Sequence, residues 1–265
     1  MKKRIALAVL LPAAVLVVLG WLSCSHQQAA TAMKQEDRLA LAQDLAARGR
    51  CSKAVLEYEK LLSEFPKPQV AETAKFNLGK CRFETGEYEV AVTDFEDFIN
   101  TYPRSELVDN AMYMIGLCYL RQAPRPERDQ AKTSEALEEL NLVLRKYPTS
   151  DIKADVEAGI IEARSRLAEK DLLNARLYAR LADYKSARIY YDHVVATYSD
   201  TPWAATALLE KGGTLEREGD PGEARRAYEQ LIRDFPTSGN VSEATRRLKE
   251  LGGGSDTKTE TSSKN

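Results

Sequence analysis

The chain is 265 residues long, with 38 Lys and Arg against 40 Asp and Glu and a formal net charge of -2. That balance excludes a strongly basic nucleic-acid binder, and a 29% share of charged residues excludes a polytopic membrane protein. Two histidines and four scattered cysteines, with no CxxC pair, give no set from which a zinc site assembles, so no metal and no cofactor are expected.

The N-terminus reads as a secretory leader. Lys2, Lys3 and Arg4 precede 18 uncharged, mostly apolar residues from Ile5 to Leu22. The stretch Gly20-Trp21-Leu22-Ser23-Cys24 is similar to the bacterial lipoprotein pattern, with Trp21 where an aliphatic residue is usual. The expectation is a signal peptide over 1–23, lipid on Cys24 and a linker over 24–34. Two alternatives stay open: the apolar run is just long enough to be a retained anchor, and Ala30-Thr31-Ala32 is a second cleavage signal. Cleavage removes Lys2, Lys3 and Arg4 and leaves no polybasic patch, so attachment would rest on lipid.

From Gln35 to Leu251 the chain repeats. Phe65-Pro66, Tyr102-Pro103, Tyr147-Pro148, Tyr198-Ser199 and Phe235-Pro236 close successive amphipathic segments. Twelve residues before each closing Pro or Ser stands an alanine: Ala54, Ala91, Ala136, Ala187 and Ala224. Four residues after each alanine comes Tyr58, Phe95, Leu140, Tyr191 or Tyr228. Twelve before it comes a small residue, Ala42, Gly79, Ala175 or Gly212, while the third copy has Gly116, displaced by eight. Small residues let two helices approach closely, and Gly86 suits a turn that needs positive φ.

This template resembles the tetratricopeptide repeat, a helix-turn-helix unit of 34 residues. The resemblance implies an all-α solenoid of five helix-turn-helix repeats over 35–251, with a concave binding surface. Spacings of 37, 45, 51 and 37 between closing residues exceed the family length, and Arg82 stands where the family has an aromatic. Residues Arg121 to Gln130, with Pro124 and Pro126, read as a long loop. Residues Ile152 to Leu181 contain no proline and read as one helix, with Val156, Ile160, Ala163 and Leu167 and then Leu173, Leu177 and Leu181 on its apolar stripe. The segment 252–265 is rich in Gly, Ser and Thr and reads as a disordered tail.

The stretch from Val108 to Leu117, the charged segment Glu127-Arg128-Asp129-Gln130, the leader and the long helix between the third and fourth repeats together resemble the BamD family of outer-membrane protein assembly. That resemblance implies a non-enzymatic, lipid-anchored scaffold at the periplasmic face of the outer membrane, holding a BamA-like barrel protein and unfolded outer-membrane proteins. It also implies that the C-terminal repeats dock the barrel partner, around Arg188, Tyr190 and Tyr191. A periplasmic adaptor of the Tol-Pal or secretion type is the alternative. Phe76, Lys80, Phe83, Tyr113, Leu117 and Leu120, on the first helices of the second and third repeats, are the candidate lining of a peptide groove. Cys81 and Cys118, each two residues after a small glycine, are expected to be buried free thiols rather than a disulfide. His193 has no nucleophile pattern beside it and is read as structural or exposed.

Overall fold

The computed structural model describes residues 33–64 and 68–253. The leader, Cys24, Ala30 to Ala32 and most of the expected tail lie outside the described residues. Among the described residues there are eleven α-helices and no strand. In chain order they are α1 (Gln35–Ala47), α2 (Cys51–Glu64), α3 (Pro68–Glu84), α4 (Tyr88–Thr101), α5 (Val108–Gln122), α6 (Ala131–Lys146), α7 (Lys153–Arg180), α8 (Tyr184–Thr197), α9 (Pro202–Glu218), α10 (Pro221–Asp234) and α11 (Val241–Gly253). Ten of them form the five expected hairpins. The eleventh packs on α10 and runs through Gly253, two residues into the segment expected to be a tail.

The chain divides into two compact units, up to Ala74 and from Lys75 onward. In the first, α1 packs on α2 through Ala42, Ala54, Tyr58 and Leu61, all fully buried. Arg38 on α1 reaches Glu57 on α2 at 3.0 Å, so the hairpin is held by an ion pair beside its apolar seam.

In the second unit the repeat's spacing acquires a physical meaning. A methyl group added to Gly79 would lie 2.9 Å from the Phe95 ring, and one added to Gly116 would lie 2.7 Å from Leu140 Cδ2. Gly212 meets the Tyr228 ring more closely still. In these three repeats the small residue of the first helix is therefore the seat of the large residue of the second. Gly79 and Gly212 precede their partners by 16 residues and Gly116 precedes Leu140 by 24. The connection 123–130 between α5 and α6, against 85–87 in the second repeat, supplies most of the displacement, and the longer start of α6 supplies most of the rest. Gln130, buried at its end, fixes that connection: its Nε2 donates to the Arg125 carbonyl at 2.9 Å and its Oε1 accepts from Thr133 at 2.6 Å.

Four of the hairpin turns share one geometry. At Gly86 the backbone has φ +83°, and the next residue's N–H, that of Glu87, donates to the Arg82 carbonyl at 2.9 Å. Gly49 and Gly219 do the same, each five residues before its repeat alanine. In the fourth repeat the position is held by Ala182, with φ +59°, and Asp183 N–H closes the turn on the Tyr178 carbonyl at 3.0 Å. A left-handed non-glycine residue costs roughly 1–2 kcal/mol, and glycine's extra unfolded-state freedom gives back part of that, roughly 0.5–1 kcal/mol. Ala182 is exposed and packs little. Ala182→Gly is expected to raise the stability by about 0.5–1 kcal/mol, read as a higher urea midpoint with an unchanged slope; an unchanged or lower midpoint would remove the strain from the account.

The long helix expected between Ile152 and Leu181 is continuous over 28 residues. Its buried stripe differs from the expected one in its second half. Val156 and Ala163 are buried as expected, but the stripe continues through Ala168, Leu172, Ala175 and Ala179. Leu177 and Leu181 are 44% and 67% exposed. Hydrophobicity favours the leucines, whereas close packing on α8 requires the alanines. The first half of α7 packs with α5 and α6 around Leu140 and Val143, and the second half with α8 around Ala187, Tyr191 and Val194. Arg82, at odds with the repeat template, forms an ion pair with Asp94 on α4 at 2.8 Å, so charge occupies the place an aromatic ring would take.

Candidate functional site

The six residues expected to line a groove separate into two groups. Leu120 is fully buried in the core shared by α5, α6 and α7 and is not available to a ligand. Its carbonyl accepts from Arg166 Nη1 at 3.1 Å, which ties α5 to α7. Phe76 is 8% exposed and stands against Phe95 and Phe98, with ring centroids 5.8 and 5.5 Å away. Phe76 stands three residues before Gly79 and Leu120 four after Gly116, on the face by which each helix seats its partner, and that phase takes both into the core. Lys80 is exposed with its ammonium 5.9 Å from the Phe76 ring. Phe83 is half-buried, edge-on to Tyr88 at 5.4 Å. Tyr113 and Leu117 are half-buried against the core of α5, α6 and α7. Burial, with Asp155 nearby, pushes the Tyr113 phenol above its ordinary value. Lys80 and Phe83 on α3 and Tyr113 and Leu117 on α5 thus remain as partly accessible side chains on first helices of successive hairpins.

Of the residues named for the C-terminal docking surface, Tyr191 is 2% exposed and belongs to the core of α7 and α8. Tyr190 stacks on Tyr178 with centroids 5.5 Å apart, and Arg188 pairs with Glu218 at 3.6 Å. His193 is exposed, with Nε2 3.5 Å from Asp171 and Nδ1 3.2 Å from Thr197 Oγ1. Burial pushes the Asp171 carboxyl up, and His193 opposes that shift. Cys81 and Cys118 are buried and form no disulfide with each other, as their place in the repeat implies, and burial pushes the Cys118 thiol up to about 12. Cys51, at the first position of α2, is free and half-buried.

One polar site was not anticipated from the sequence. Between the second half of α7 and α9 lies an open cleft of about 430 Å³, with Arg176 and Arg180 on one wall, Glu210 and Arg217 on the other, and Ala179, Tyr191 and Gly213 at its base. Arg176 and Glu210 form a bidentate pair, Nε to Oε2 at 2.8 Å and Nη2 to Oε1 at 2.6 Å. The available signal was Arg176 and Arg180 one helical turn apart beside a stripe of alanines, but the misassigned leucine stripe concealed it. Among the described residues, no group of His, Cys, Asp or Glu has the arrangement of a metal site, and no helix is long and apolar enough to cross a membrane.

Comparison with known families gives two matches. A family described as outer membrane lipoprotein, YfiO, matches residues 31–217, and the tetratricopeptide repeat matches residues 206–238. The chain belongs to the YfiO outer membrane lipoprotein family. The YfiO match begins ahead of α1 and ends within α9, and the repeat match covers nearly all of α9 and α10. A YfiO chain made of such hairpins is a tetratricopeptide-repeat scaffold for protein-protein interaction, associated with the outer membrane. The TPR2AB domain of yeast Sti1, solved as a pHSP90 complex, is 17% identical, with 84% of each chain covered and a TM-score of 0.43. The pilF protein of Pseudomonas aeruginosa is 19% identical over 91% of this chain and 96% of its own, with a TM-score of 0.35. A thermophilic tetratricopeptide-repeat protein of Thermus thermophilus is 20% identical over 82% of this chain and 98% of its own, with a TM-score of 0.36. No curated protein matches this chain.

Proposed function

We propose that this YfiO-family chain is a non-enzymatic scaffold of outer-membrane protein assembly, held by lipid on Cys24 at the periplasmic face of the outer membrane. Its proposed partners are a BamA-like barrel protein and segments of unfolded outer-membrane proteins. The observation that carries this reading is the family match over residues 31–217, to a family described by its outer membrane lipoproteins. The basic and apolar leader ahead of Cys24 supports the anchor. Half-buried Phe83, Tyr113 and Leu117 beside exposed Lys80 support the client surface, because an extended segment with apolar side chains gains most from rigid apolar contacts at low entropic cost.

The signal Ala30-Thr31-Ala32 favours a second reading, a soluble periplasmic adaptor of the Tol-Pal or secretion type. One experiment separates the two. Tagged chain is extracted from envelopes in mild detergent, its co-purifying proteins are identified, and Cys24→Ala is run alongside. The scaffold reading expects a barrel protein among the partners, a lipid-mass shift at Cys24 and at least about tenfold less membrane-bound Cys24→Ala after a high-salt wash. Release of the unsubstituted chain without lipid would favour the adaptor instead.

A further inference from the structure

We propose that the cleft between α7 and α9 is a docking site for an internal acidic side chain of a partner polypeptide, received between Arg180 and Arg217. This rests on the reading of the chain as a scaffold and adds the chemistry of one partner contact. Among the described residues most arginines of the second unit are neutralised in the fold, as Arg82 is by Asp94, Arg164 by Asp200, Arg176 by Glu210 and Arg247 by Glu216. Arg180 and Arg217 have no carboxylate partner among the described residues, and both are exposed.

Arg217 is held by uncharged groups instead. Its Nε donates to the Gly213 carbonyl at 3.3 Å, its Nη2 donates to Thr214 Oγ1 at 3.1 Å, and its guanidinium lies 6.0 Å from the Tyr184 ring centroid. The cation is thus oriented before any ligand arrives, which reduces the entropy lost on binding. Arg180 and Arg217 both lie in the last turn of their helices, where a cation suits the helix dipole. That explains the residue type but not the convergence of two such ends on one cleft.

Arg176 and Glu210 neutralise each other along the cleft, so Arg180 and Arg217 set its sign. The base is shallow in side chains because Ala179 and Gly213 contribute little, and a methyl group added at Gly213 would meet nothing nearer than the Tyr228 hydroxyl at 3.9 Å. A backbone can therefore approach closely. The cleft is open rather than enclosed, which suits a chain passing through better than a chain end.

The test uses the mature chain and fluorescein-labelled dodecapeptides of Leu and Ser with two central Glu, read by anisotropy. The C-terminus is amidated. A second peptide carries Gln for both Glu, and a third carries Gln with a free C-terminal carboxylate. The Glu peptide is expected to bind about tenfold or more tightly than the amidated Gln peptide, with affinity falling as salt rises. The Arg180→Gln, Arg217→Gln double variant should lose about tenfold for the Glu peptide only, while Arg145→Gln on α6 should lose nothing. Equal binding of Glu and Gln peptides, or undiminished Glu-peptide binding by the double variant, would overturn the proposal. So would a free-carboxylate Gln peptide binding as tightly as the Glu peptide, since the site would then take chain ends. Circular dichroism of the double variant confirms that it is folded, as expected for two exposed side chains. Barrel capture from envelopes that fails while Glu-peptide binding persists would remove the proposed partners and leave the cleft; the reverse result would remove the cleft alone.

Discussion

Gly212→Ala is expected to destabilise the protein by about 1–3 kcal/mol, whereas Gly213→Ala, one residue further along the same helix, is expected to stabilise it by up to about 1 kcal/mol. The same chemical change acts in opposite directions because of what each position faces. An alanine methyl at 212 would overlap the Tyr228 ring. That ring cannot move aside: Tyr228 is 1% exposed and its hydroxyl donates to Glu216 Oε1 at 2.6 Å. Glu216 is held in turn by Arg247 on α11, whose Nε donates to it at 3.1 Å. At 213 the methyl finds space, and only the gain in helix propensity remains. At roughly 2–4 °C per kcal/mol for a chain of this size, the two variants should melt on opposite sides of the parent. If Gly212→Ala also melts above the parent, the seating of Tyr228 on Gly212 does not fix the helix spacing.

Leu140→Ala is expected to cost about 2–5 kcal/mol, a fall of several degrees or more in the melting temperature. Leu140 is fully buried and lies between two glycines on different helices. Its Cδ2 is 2.7 Å from a methyl placed on Gly116 of α5 and its Cδ1 is 3.1 Å from one placed on Gly159 of α7. Rigid neighbours on both sides hold the cavity open after truncation. Leu140→Tyr, which restores the tyrosine found in the first, fourth and fifth repeats, should also destabilise, because α7 at Gly159 leaves no room for a ring. A loss under about 1 kcal/mol for Leu140→Ala would show that the three helices close over the gap.

Much of the fold was legible in the residues themselves. The alanine register placed every second helix, the closing aromatics Tyr102, Tyr147, Tyr198 and Phe235 each end one, and the absence of proline between 152 and 181 gave the long helix. Gly116 stands out as displaced in the repeat, and the loop read over 121–130 holds most of the extra residues, but its seat under Leu140 follows only from how α5 and α6 pack. Side-chain facing was less legible. Phe76 and Leu120 share a helix face with the packing glycines Gly79 and Gly116 and so belong to the core, while Leu177 and Leu181 yielded the buried face of α7 to smaller alanines. The cleft arginines were hidden for a related reason: whether an arginine is neutralised depends on which carboxylate the next helix brings near, as Arg82 and Asp94 show. Twelve positions separate them in sequence, and nothing in a repeat template marks the pair.

The unbroken α7 has a further consequence for how the array responds to perturbation. The first helices α5 and α9 also pack on the hairpin before them, but at 15 and 17 residues each is much shorter than the 28-residue α7. Where one rod belongs to the interiors of both the third and the fourth hairpins, opening either exposes alanines and leucines of the other, and amide exchange along this stretch should report one shared opening event. A load applied at one half of α7 would then be carried into the other half without a joint to absorb it.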